Sequence, residues 1–168
     1  IRPVIRTFTP RRYDAEALEL HLDVVLHGPG IASTWAETAE PGSGVAVSGP
    51  GRGYDIDADA TGFLLAGVET AIPAICQLLE YLPEAPIAVH LLVSHMEAKV
   101  DLHRDVDVTW HLAADSTDAG DSLRNAVRAA DLISGLAIWA AGEAAAMQSI
   151  RNYLFRENDF PRSHATVR

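Results

Sequence analysis

The clearest hydrophobic pattern in the chain is the alternation of apolar and polar residues over positions 17–27. Every second residue from Leu18 to Leu26 is a leucine or a valine, and the residues between them are mostly polar. Because successive side chains of a β-strand point to opposite faces, this alternation predicts a half-buried strand. Shorter patterns predict two more strands, over residues 2–9 and 44–49. They also predict one short helix, over residues 31–38.

The pattern changes near residue 60, where we expect a domain boundary. Residues 50–61 are rich in glycine, aspartate and arginine, and they interrupt every hydrophobic period. Beyond them, apolar strands alternate with helices: strands over 63–66, 87–93, 106–112 and 136–140, and helices over 69–82, 121–132 and 143–157. Such alternation predicts a mostly parallel sheet covered on both faces.

The two parts together predict a mixed β and α/β fold. Three short strands form a poor core by themselves, so residues 1–60 are expected to be part of an antiparallel β-barrel whose opening strands are absent. Residues 61–168 are expected to form an α/β domain that could hold a nucleotide at one end of its sheet.

Composition narrows the class of protein. Of the 168 residues, 48 % are hydrophobic and 21 % charged, which is close to the average of soluble globular proteins. No apolar run approaches the roughly 18 residues of a transmembrane helix, so stable membrane insertion is not expected. The net charge of −10 argues against a nucleic-acid partner, which would require a basic face. Arginines nevertheless cluster at both ends of the acidic chain, which suggests a local anion-binding site.

Cysteine and histidine usage excludes several kinds of site. The single cysteine, Cys76, rules out an internal disulfide framework and a cysteine-based zinc site, and it is compatible with a reducing compartment. The seven histidines show no chelating spacing beside a carboxylate, so no metal site is expected. A Gly-x-Ser-x-Gly elbow and a phosphate-binding P-loop are both absent, which leaves hydrolase and kinase activities without support.

Two segments of the first part carry chemistry that suits a flavin nucleotide. Arg6 to Thr9 offers a guanidinium for a phosphate, an aromatic ring for a flat ring system, and hydroxyl donors. The glycine turn that leads into the helix over 31–38 presents free backbone N–H groups, which can bind a pyrophosphate. Both segments also have a purely structural interpretation, as a solvated edge strand and as a helix capped by a glycine turn.

Two strand–glycine–helix units mark a possible nucleotide crevice in the second part. One ends its strand at Gly67 and the other at Gly142. The two strand ends would lie side by side if the sheet is doubly wound, and such an edge is where nucleotides bind. The Gly-x-Gly-x-x-Gly fingerprint is absent, and each unit by itself is ordinary α/β architecture.

Taken in order, these blocks resemble the siderophore-interacting protein family, flavin-dependent ferric-siderophore reductases within the ferredoxin–NADP reductase superfamily. The matching segments are Arg6–Arg11, His27–Ala36, Gly49-Pro50, Leu65–Ile75 and Trp139–Glu143. The resemblance implies a cytoplasmic oxidoreductase that passes electrons from NADPH or NADH through FAD to a ferric siderophore. It also implies that residues 1–60 bind FAD and that residues 61–168 bind NAD(P)H.

The resemblance further implies roles for individual residues. Arg6 would contact the flavin phosphates, Phe8 would pack on the flavin, and Thr9 would hydrogen-bond near flavin N5 and is the expected catalytic residue. The other implied flavin-binding positions are Thr7, Asp23, Val25, His27, Gly30, Ala32 and Ser33. Those around the nicotinamide nucleotide are Gly67, Glu69, Thr70, Trp139, Gly142 and Glu143. An anionic siderophore would favour a basic rim, for which the candidates are Arg11, Arg12, Arg151 and Arg162.

Two departures from the family pattern leave alternatives open. Phe8 stands where the family has tyrosine, and Val68 stands where it has aspartate, which removes a helix cap and a polar contact to the nucleotide. The sequence therefore does not decide between NADH and NADPH as the reductant, and ferredoxin is an alternative electron donor or partner. The wider alternatives are another flavin reductase of the ferredoxin–NADP reductase type and a non-catalytic α/β binding module.

Overall fold

The fold is described by a computed structural model over residues 5–26, 30–49, 51, 53–113 and 119–168. The chain divides into two compact units, Ile1–Asp55 and Ile56–Arg168, and each is described by itself. In the part of the chain that the structure describes, every helix is too short or too polar to span a bilayer.

The first unit contains a β-hairpin and a short helix: β1 Pro10–Asp14, β2 Glu19–Leu22 and α1 Ile31–Thr38. The two strands pair antiparallel, with a register shift between Pro10 and Arg12. At the turn, the Asp14 carboxylate accepts the backbone N–H groups of Glu16 and Ala17 at 3.0 and 2.9 Å. An aspartate that bonds the backbone two and three residues ahead closes a turn locally.

Sequence patterning was less accurate in this unit than beyond it. The helix over 31–38 is confirmed. The strand predicted over 2–9 is wrong for residues 5–9, which precede β1 without regular structure, while residues 1–4 lie outside the described part. The strand predicted over 17–27 is reduced to four residues, and 44–49 forms no strand.

The predicted half-burial requires correction, and the predicted partial barrel is shown only in part. Leu20 and Leu22 are each 39 % exposed, and Val45 and Val47 are more exposed still. A two-stranded hairpin has no second layer to cover its apolar face, so alternation alone cannot bury it. The described residues of this unit therefore show a two-stranded antiparallel sheet and no closed barrel.

The second unit is an α/β domain with a five-stranded parallel sheet. Its strands are β3 Gly62–Val68, β4 Ile87–Val93, β5 Asp107–Leu112, β6 Leu136–Ala141 and β7 Ala165–Val167. Its helices are α2 Ile72–Tyr81, α3 Ala119–Ala129 and α4 Ala144–Asn152. One 3₁₀ turn, Glu69–Ala71, leads into α2, and a π-helical turn, Tyr153–Glu157, extends α4.

The strand order β5-β4-β3-β6-β7 places β3 and β6 at the centre of the sheet. Side chains alternate between the two faces of each strand. One face of the core, which includes Leu64 and Ile138, packs against Leu123 of α3 and Ile150 of α4. The opposite face carries Phe63 and Leu65 and is covered by the buried side of α2. The parallel sheet covered on both faces is thus confirmed.

The predicted elements of this unit match the structure closely. The strand over 87–93 is confirmed without change, and the other three strands and the helices agree to within a few residues, apart from the change to π-helical geometry after Asn152. The short edge strand β7 was not predicted, because three residues give too little pattern.

Arg104 secures the carboxyl end of α2. Its guanidinium donates to the backbone carbonyls of Leu79, Leu82 and Pro83 at 2.6, 2.9 and 3.2 Å. The last carbonyls of a helix have no partner within the helix, so a cation at this position satisfies them and opposes the helix dipole.

Candidate functional site

The central strands β3 and β6 end side by side at the carboxyl edge of the sheet. They pair in parallel, with Ala66 opposite Ala140 and Gly67 opposite Ala141. The chain leaves β3 toward β4 on one side and leaves β6 toward β7 on the other, so the strand order reverses between them. Such a reversal opens a crevice at the carboxyl ends of the strands. The predicted adjacency of Gly67 and Gly142 is therefore confirmed.

Gly67 allows α2 to approach the sheet closely. A Cβ atom at this position would lie 2.7 Å from Ala71 Cβ and 3.1 Å from Ile75 Cδ1. At Gly142 the nearest atoms would be Val68 Cγ1 at 3.1 Å and Met147 Cε at 3.3 Å. Close packing therefore explains the lack of a side chain at both positions, and a side chain would be tolerated less well at Gly67 than at Gly142.

The two helices that follow these strands begin without side-chain caps. Neither the 3₁₀ turn before α2 nor α4 has a side chain that hydrogen-bonds its first N–H groups. First-turn N–H groups have no partner within a helix and point outward along the helix axis. Thr70 and Glu143, the predicted contact residues here, are exposed. The crevice is thus lined largely by backbone donors, a chemistry that suits a phosphate group.

Glu69 makes two hydrogen bonds within the protein. Its Oε1 accepts the backbone N–H of Ser94 at 2.7 Å and the Ser94 hydroxyl at 2.8 Å. Ser94 Oγ also lies 2.7 Å from His95 Nδ1. The hydroxyl has one hydrogen, which is used toward Glu69, so His95 Nδ1–H donates to Ser94.

The hydrogen bonds that link Glu69, Ser94 and His95 connect the end of β3 to the end of β4. The serine, not the histidine, bonds the carboxylate, which differs from the order of a nucleophilic triad. This contact could not be predicted from sequence spacing, because its partners are 25 residues apart and meet only through strand pairing.

Trp139 lies in the core and not at the surface of the crevice. It is 5 % exposed and pairs with Leu65 on one side and Thr166 on the other. A side chain so enclosed packs the sheet, so any effect of Trp139 on a nucleotide is exerted through the position of β6.

Two of the flavin-binding candidates, Thr9 and Asp23, lie at the open end of the hairpin in the first unit. Pro10 pairs with Leu22, so Thr9 and Asp23 adjoin each other at that end. Arg11 Nε lies 3.2 Å from Asp23 Oδ2, which fixes the segment that leads to Val25. Arg6 is exposed, and its Nη1 donates to the neighbouring Ile5 carbonyl at 2.9 Å. Thr7 is exposed as well, and Phe8 is 38 % exposed.

Helix α1 provides a third uncapped N-terminus. Gly30 is its N-cap residue, and no side chain caps it or places an acid in its first turn. The first helical bond runs from Thr34 N–H to the Gly30 carbonyl at 2.8 Å, so the preceding N–H groups, which include those of Ala32 and Ser33, are not used within the helix. Ser33 is buried, whereas the predicted site residue His27 lies outside the described residues.

The four arginines predicted to form a basic rim do not share one environment. Arg12 is 70 % exposed and lies 3.6 Å from Asp14, while Arg11 is held by Asp23. Arg151 Nη2 donates to the Val167 carbonyl at 2.5 Å, which ties α4 to β7. Arg162 stacks on the Phe155 ring at 4.5 Å and precedes β7, so it lies at the amino end of the sheet, away from the crevice.

Two cavities, of about 290 and 320 Å³, also open at the amino end of the sheet. The first lies between the end of α2 and the segment before β5, and the second between the segments that precede β6 and β7. Neither is part of the crevice.

The strand order and the crevice define the second unit as a doubly wound α/β domain. Comparison with known proteins then assigns the family: the model described as "Siderophore-interacting protein" matches residues 60–168, and that described as "Siderophore-interacting FAD-binding domain" matches residues 1–54. The chain belongs to the siderophore-interacting protein family.

Individual relatives agree with this assignment. The crystal structure of the siderophore-interacting protein SipS from Aeromonas hydrophila superposes with a TM-score of 0.82 at 31 % identity, covering 99 % of this chain and 72 % of SipS. The ferric vibriobactin reductase ViuB of Vibrio cholerae is 33 % identical over 93 % of this chain and 60 % of ViuB. An uncharacterized protein of Mycobacterium tuberculosis is 37 % identical over the same shares. The chain thus spans about 60 % of the length of these two curated relatives.

Proposed function

We propose that this chain belongs to a flavin-dependent reductase that passes electrons from NAD(P)H through FAD to a ferric siderophore. At family level, the match to a siderophore-interacting FAD-binding domain and the likeness to a ferric vibriobactin reductase support a reductase. The observation that carries the finer proposal is the crevice at the ends of β3 and β6 in the second unit, which offers backbone donors for a nucleotide. The hairpin of the first unit, considered by itself, carries the residues of flavin-binding type.

The residues at the hairpin end fit a diphosphate-bearing flavin. Within the described residues, Arg6 donates through Nη1 to the neighbouring Ile5 carbonyl, and its other guanidinium N–H groups suit a phosphate. Phe8 is exposed enough to stack, and α1 begins without a side-chain cap or a first-turn acid. FAD, when bound, supplies the redox chemistry that no side chain here provides.

Each residue then has a defined task toward that cofactor. Arg6 would neutralise phosphate charge, and Phe8 would hold the ring system against the protein. Thr9, next to Asp23, would donate its hydroxyl to a ring nitrogen. The N–H groups of Ala32 and Ser33 would bind the pyrophosphate. Thr7, Val25, Gly30 and His27 would complete the surroundings of the adenine half and the phosphates.

The crevice would take the nicotinamide nucleotide mainly through the backbone. Gly67 and Gly142 let the helix N-termini come close to a phosphate, and Thr70 adds a hydroxyl. Glu69 fixes the shape of the crevice by holding Ser94. Exposed Glu143 is the N-cap residue of α4, so its carboxylate would lie close to a phosphate bound at that N-terminus.

Reduction releases iron because of ligand preference. Hard oxygen donors hold Fe(III) far more tightly than Fe(II), so one electron loosens the chelate without destroying it. Among the candidate rim residues, Arg12 suits an anionic chelate best, since Arg11, Arg151 and Arg162 are held by contacts within the fold. The single buried Cys76 suits the reducing cytoplasm, which is the location we propose.

The first experiment tests FAD binding. Titration of the protein with FAD, followed by flavin fluorescence, should saturate at one equivalent. Arg6→Ala should weaken binding by about tenfold or more, because a charge-assisted hydrogen bond contributes roughly 1.5–3 kcal/mol. Arg156→Ala, an exposed arginine of the π-helical turn, is the matched control and should bind as the wild type does.

The second experiment tests the reaction. FAD-loaded protein is mixed anaerobically with NADH and a ferric catecholate, and Fe(II) is trapped with a coloured chelator. Fe(II) formation that requires both FAD and NADH supports the proposal. Turnover with ferredoxin or free flavin but never with a chelate would assign another flavin reductase instead. A colourless protein that rejects FAD would make it a binding module.

A further inference from the structure

Two histidines face each other on the outer strands β4 and β5. In the parallel register His90 lies opposite Thr109 and His111 lies opposite Leu92, so both imidazoles project from the same face of the sheet. That face also carries Leu92, a member of the core packed by α3 and α4. His90 Nδ1 lies 3.2 Å from His111 Nε2, and the ring centroids are 5.4 Å apart at an interplanar angle of 30°.

The surroundings of the pair keep both rings neutral near pH 7. Burial lowers the pKa of His90, and the neighbouring His111 lowers it further, while Asp107 opposes this effect. Burial also lowers the pKa of His111. Between two neutral rings, one N–H donates to the lone pair of the other. A neutral imidazole is also the form that binds metal ions.

The 3.2 Å between the two nitrogens lies within the range expected for two imidazole ligands on one metal ion. Metal–nitrogen bonds of about 2.0–2.1 Å at angles between 90° and 109° place neighbouring ligand nitrogens roughly 2.8–3.4 Å apart. From this geometry we propose that His90 and His111 form a two-imidazole binding site for a divalent first-row transition metal ion, represented by Zn²⁺. This site differs from the expectation, drawn from sequence spacing, that the chain holds none.

The proton balance of binding is simple. The ion replaces the single hydrogen between Nδ1 and Nε2, and that hydrogen moves to the outer nitrogen of its own ring, by exchange with water. The ligand forms are then His90 protonated at Nε2 and His111 protonated at Nδ1, and no net proton is released while both rings are neutral.

The charges around the pair favour a cation, and the small number of protein ligands predicts modest affinity of the site for it. Asp107 projects from the same face of β5, on the His90 side, and contributes negative potential. The charged residues early in α3, which packs against β4, are Asp121 and Arg124, and they pair with each other at 2.6 Å. The described residues contain no cluster of three or more candidate ligands, so water would fill the other positions. Both histidines are half-buried, so each retains contact with solvent.

The preference among ions follows from imidazole chemistry. Imidazole suits zinc and copper, whereas magnesium and Fe(III) prefer oxygen donors. The site therefore goes beyond the proposed reductase function and does not depend on it, because it can be tested on the chain without FAD or NAD(P)H.

The test uses ¹⁵N-histidine-labelled chain and ZnCl₂, followed by long-range ¹H–¹⁵N spectra of the imidazoles. Zn²⁺ should shift His90 Nδ1 and His111 Nε2 together, saturate at one equivalent and reverse with EDTA, while Mg²⁺ should shift neither. His90→Asn and His111→Asn should each abolish saturable binding. His103→Asn, an exposed loop histidine beside Asp101, is the matched control and should retain it.

A second readout covers variants that do not fold. In the wild type, Zn²⁺ should protect His90 and His111, but not His103, from acylation by diethyl pyrocarbonate, as measured by mass spectrometry. Zn²⁺ shifts confined to other histidines, or equal acylation of the pair with and without Zn²⁺, would overturn the proposal.

Discussion

Gly67 offers the sharpest test of how the crevice is built. In Gly67→Ala the new methyl group would lie 2.7 Å from Ala71 Cβ and 3.1 Å from Ile75 Cδ1. Carbon atoms pack best at about 3.5–4.0 Å, so the first contact is too short by roughly 0.8 Å or more. Ile75 can turn its terminal methyl aside, but the Cβ of Ala71 is fixed to the backbone. The variant must therefore displace the start of α2.

The magnitude combines two opposing terms. Overpacking a well-packed core destabilises by about 1–3 kcal/mol. Alanine also restricts the unfolded chain relative to glycine, which offsets about 0.4–1 kcal/mol. We expect a net loss of about 1–2 kcal/mol, which lowers the Tm of a domain of this size by roughly 2–8 °C. Because the displaced segment carries the uncapped N–H groups, the KM for NADH should rise in the same variant.

Calorimetry of the second unit's transition and steady-state kinetics measure the two effects. Gly142→Ala is the graded control, since its closest contacts of 3.1 and 3.3 Å are with the side-chain ends of Val68 and Met147. Gly44→Ala is the neutral control, because no atom of the described residues lies within 4 Å of the added methyl group. A Gly67→Ala protein as stable as the wild type, with Gly142→Ala more damaged, would refute the packing argument.

Three further predictions concern polar contacts of the second unit. Glu69→Gln should weaken the two bonds to Ser94, lower stability by about 1 kcal/mol and raise the KM for NADH more than it changes kcat; a lower kcat at unchanged KM would contradict a positioning role. Arg104→Ala should leave three carbonyls at the end of α2 without their cation and cost about 1.5–3 kcal/mol, seen as a lower Tm, whereas an unchanged Tm would show that water replaces it. Replacing His90 and His111 with Asn should make the free energy of unfolding less dependent on pH below about 6.5. The unfolded chain takes up protons near the ordinary pKa of 6.5 and the folded chain only at lower pH, so the free energy of unfolding of the wild type should fall as pH drops below 6.5. Urea unfolding at about pH 7.5 and about pH 5.5 checks this, and identical pH slopes in both proteins would contradict it.

The second unit could be predicted because its patterns are satisfied within the unit. The apolar run Ile87–Val93 forms β4 without change, since β3 and β5 flank it and helices cover both faces. In the first unit the alternation around Leu20 and Leu22 is just as regular, yet both side chains remain 39 % exposed. Alternation shows which face of a strand is apolar, but that face is buried only where a second layer of structure packs against it.

The polar contacts could not be predicted, because they depend on register and not on spacing. Glu69 and Ser94 are 25 residues apart, and His90 and His111 are 21 apart. Each pair meets because neighbouring parallel strands align those residues, and a slip of one residue would send the side chains to opposite faces. The adjacency of Gly67 and Gly142 was accessible, since it follows from the doubly wound order alone.

The residues around Gly67 can be required for packing of the fold or for binding of a nucleotide, and the sequence alone does not distinguish these two reasons. Gly67 is needed for the approach of α2, Glu69 holds Ser94, and Ile75 is fully buried. These residues would be required by the architecture even in a protein that binds no nucleotide. Exposed Thr70 and the first-turn N–H groups, which have no side-chain cap, show no such internal role within the described residues. The case for a nucleotide in the crevice thus rests on backbone donors held in place by packing, which is why a single methyl group at Gly67 should affect binding more than the removal of the Thr70 hydroxyl.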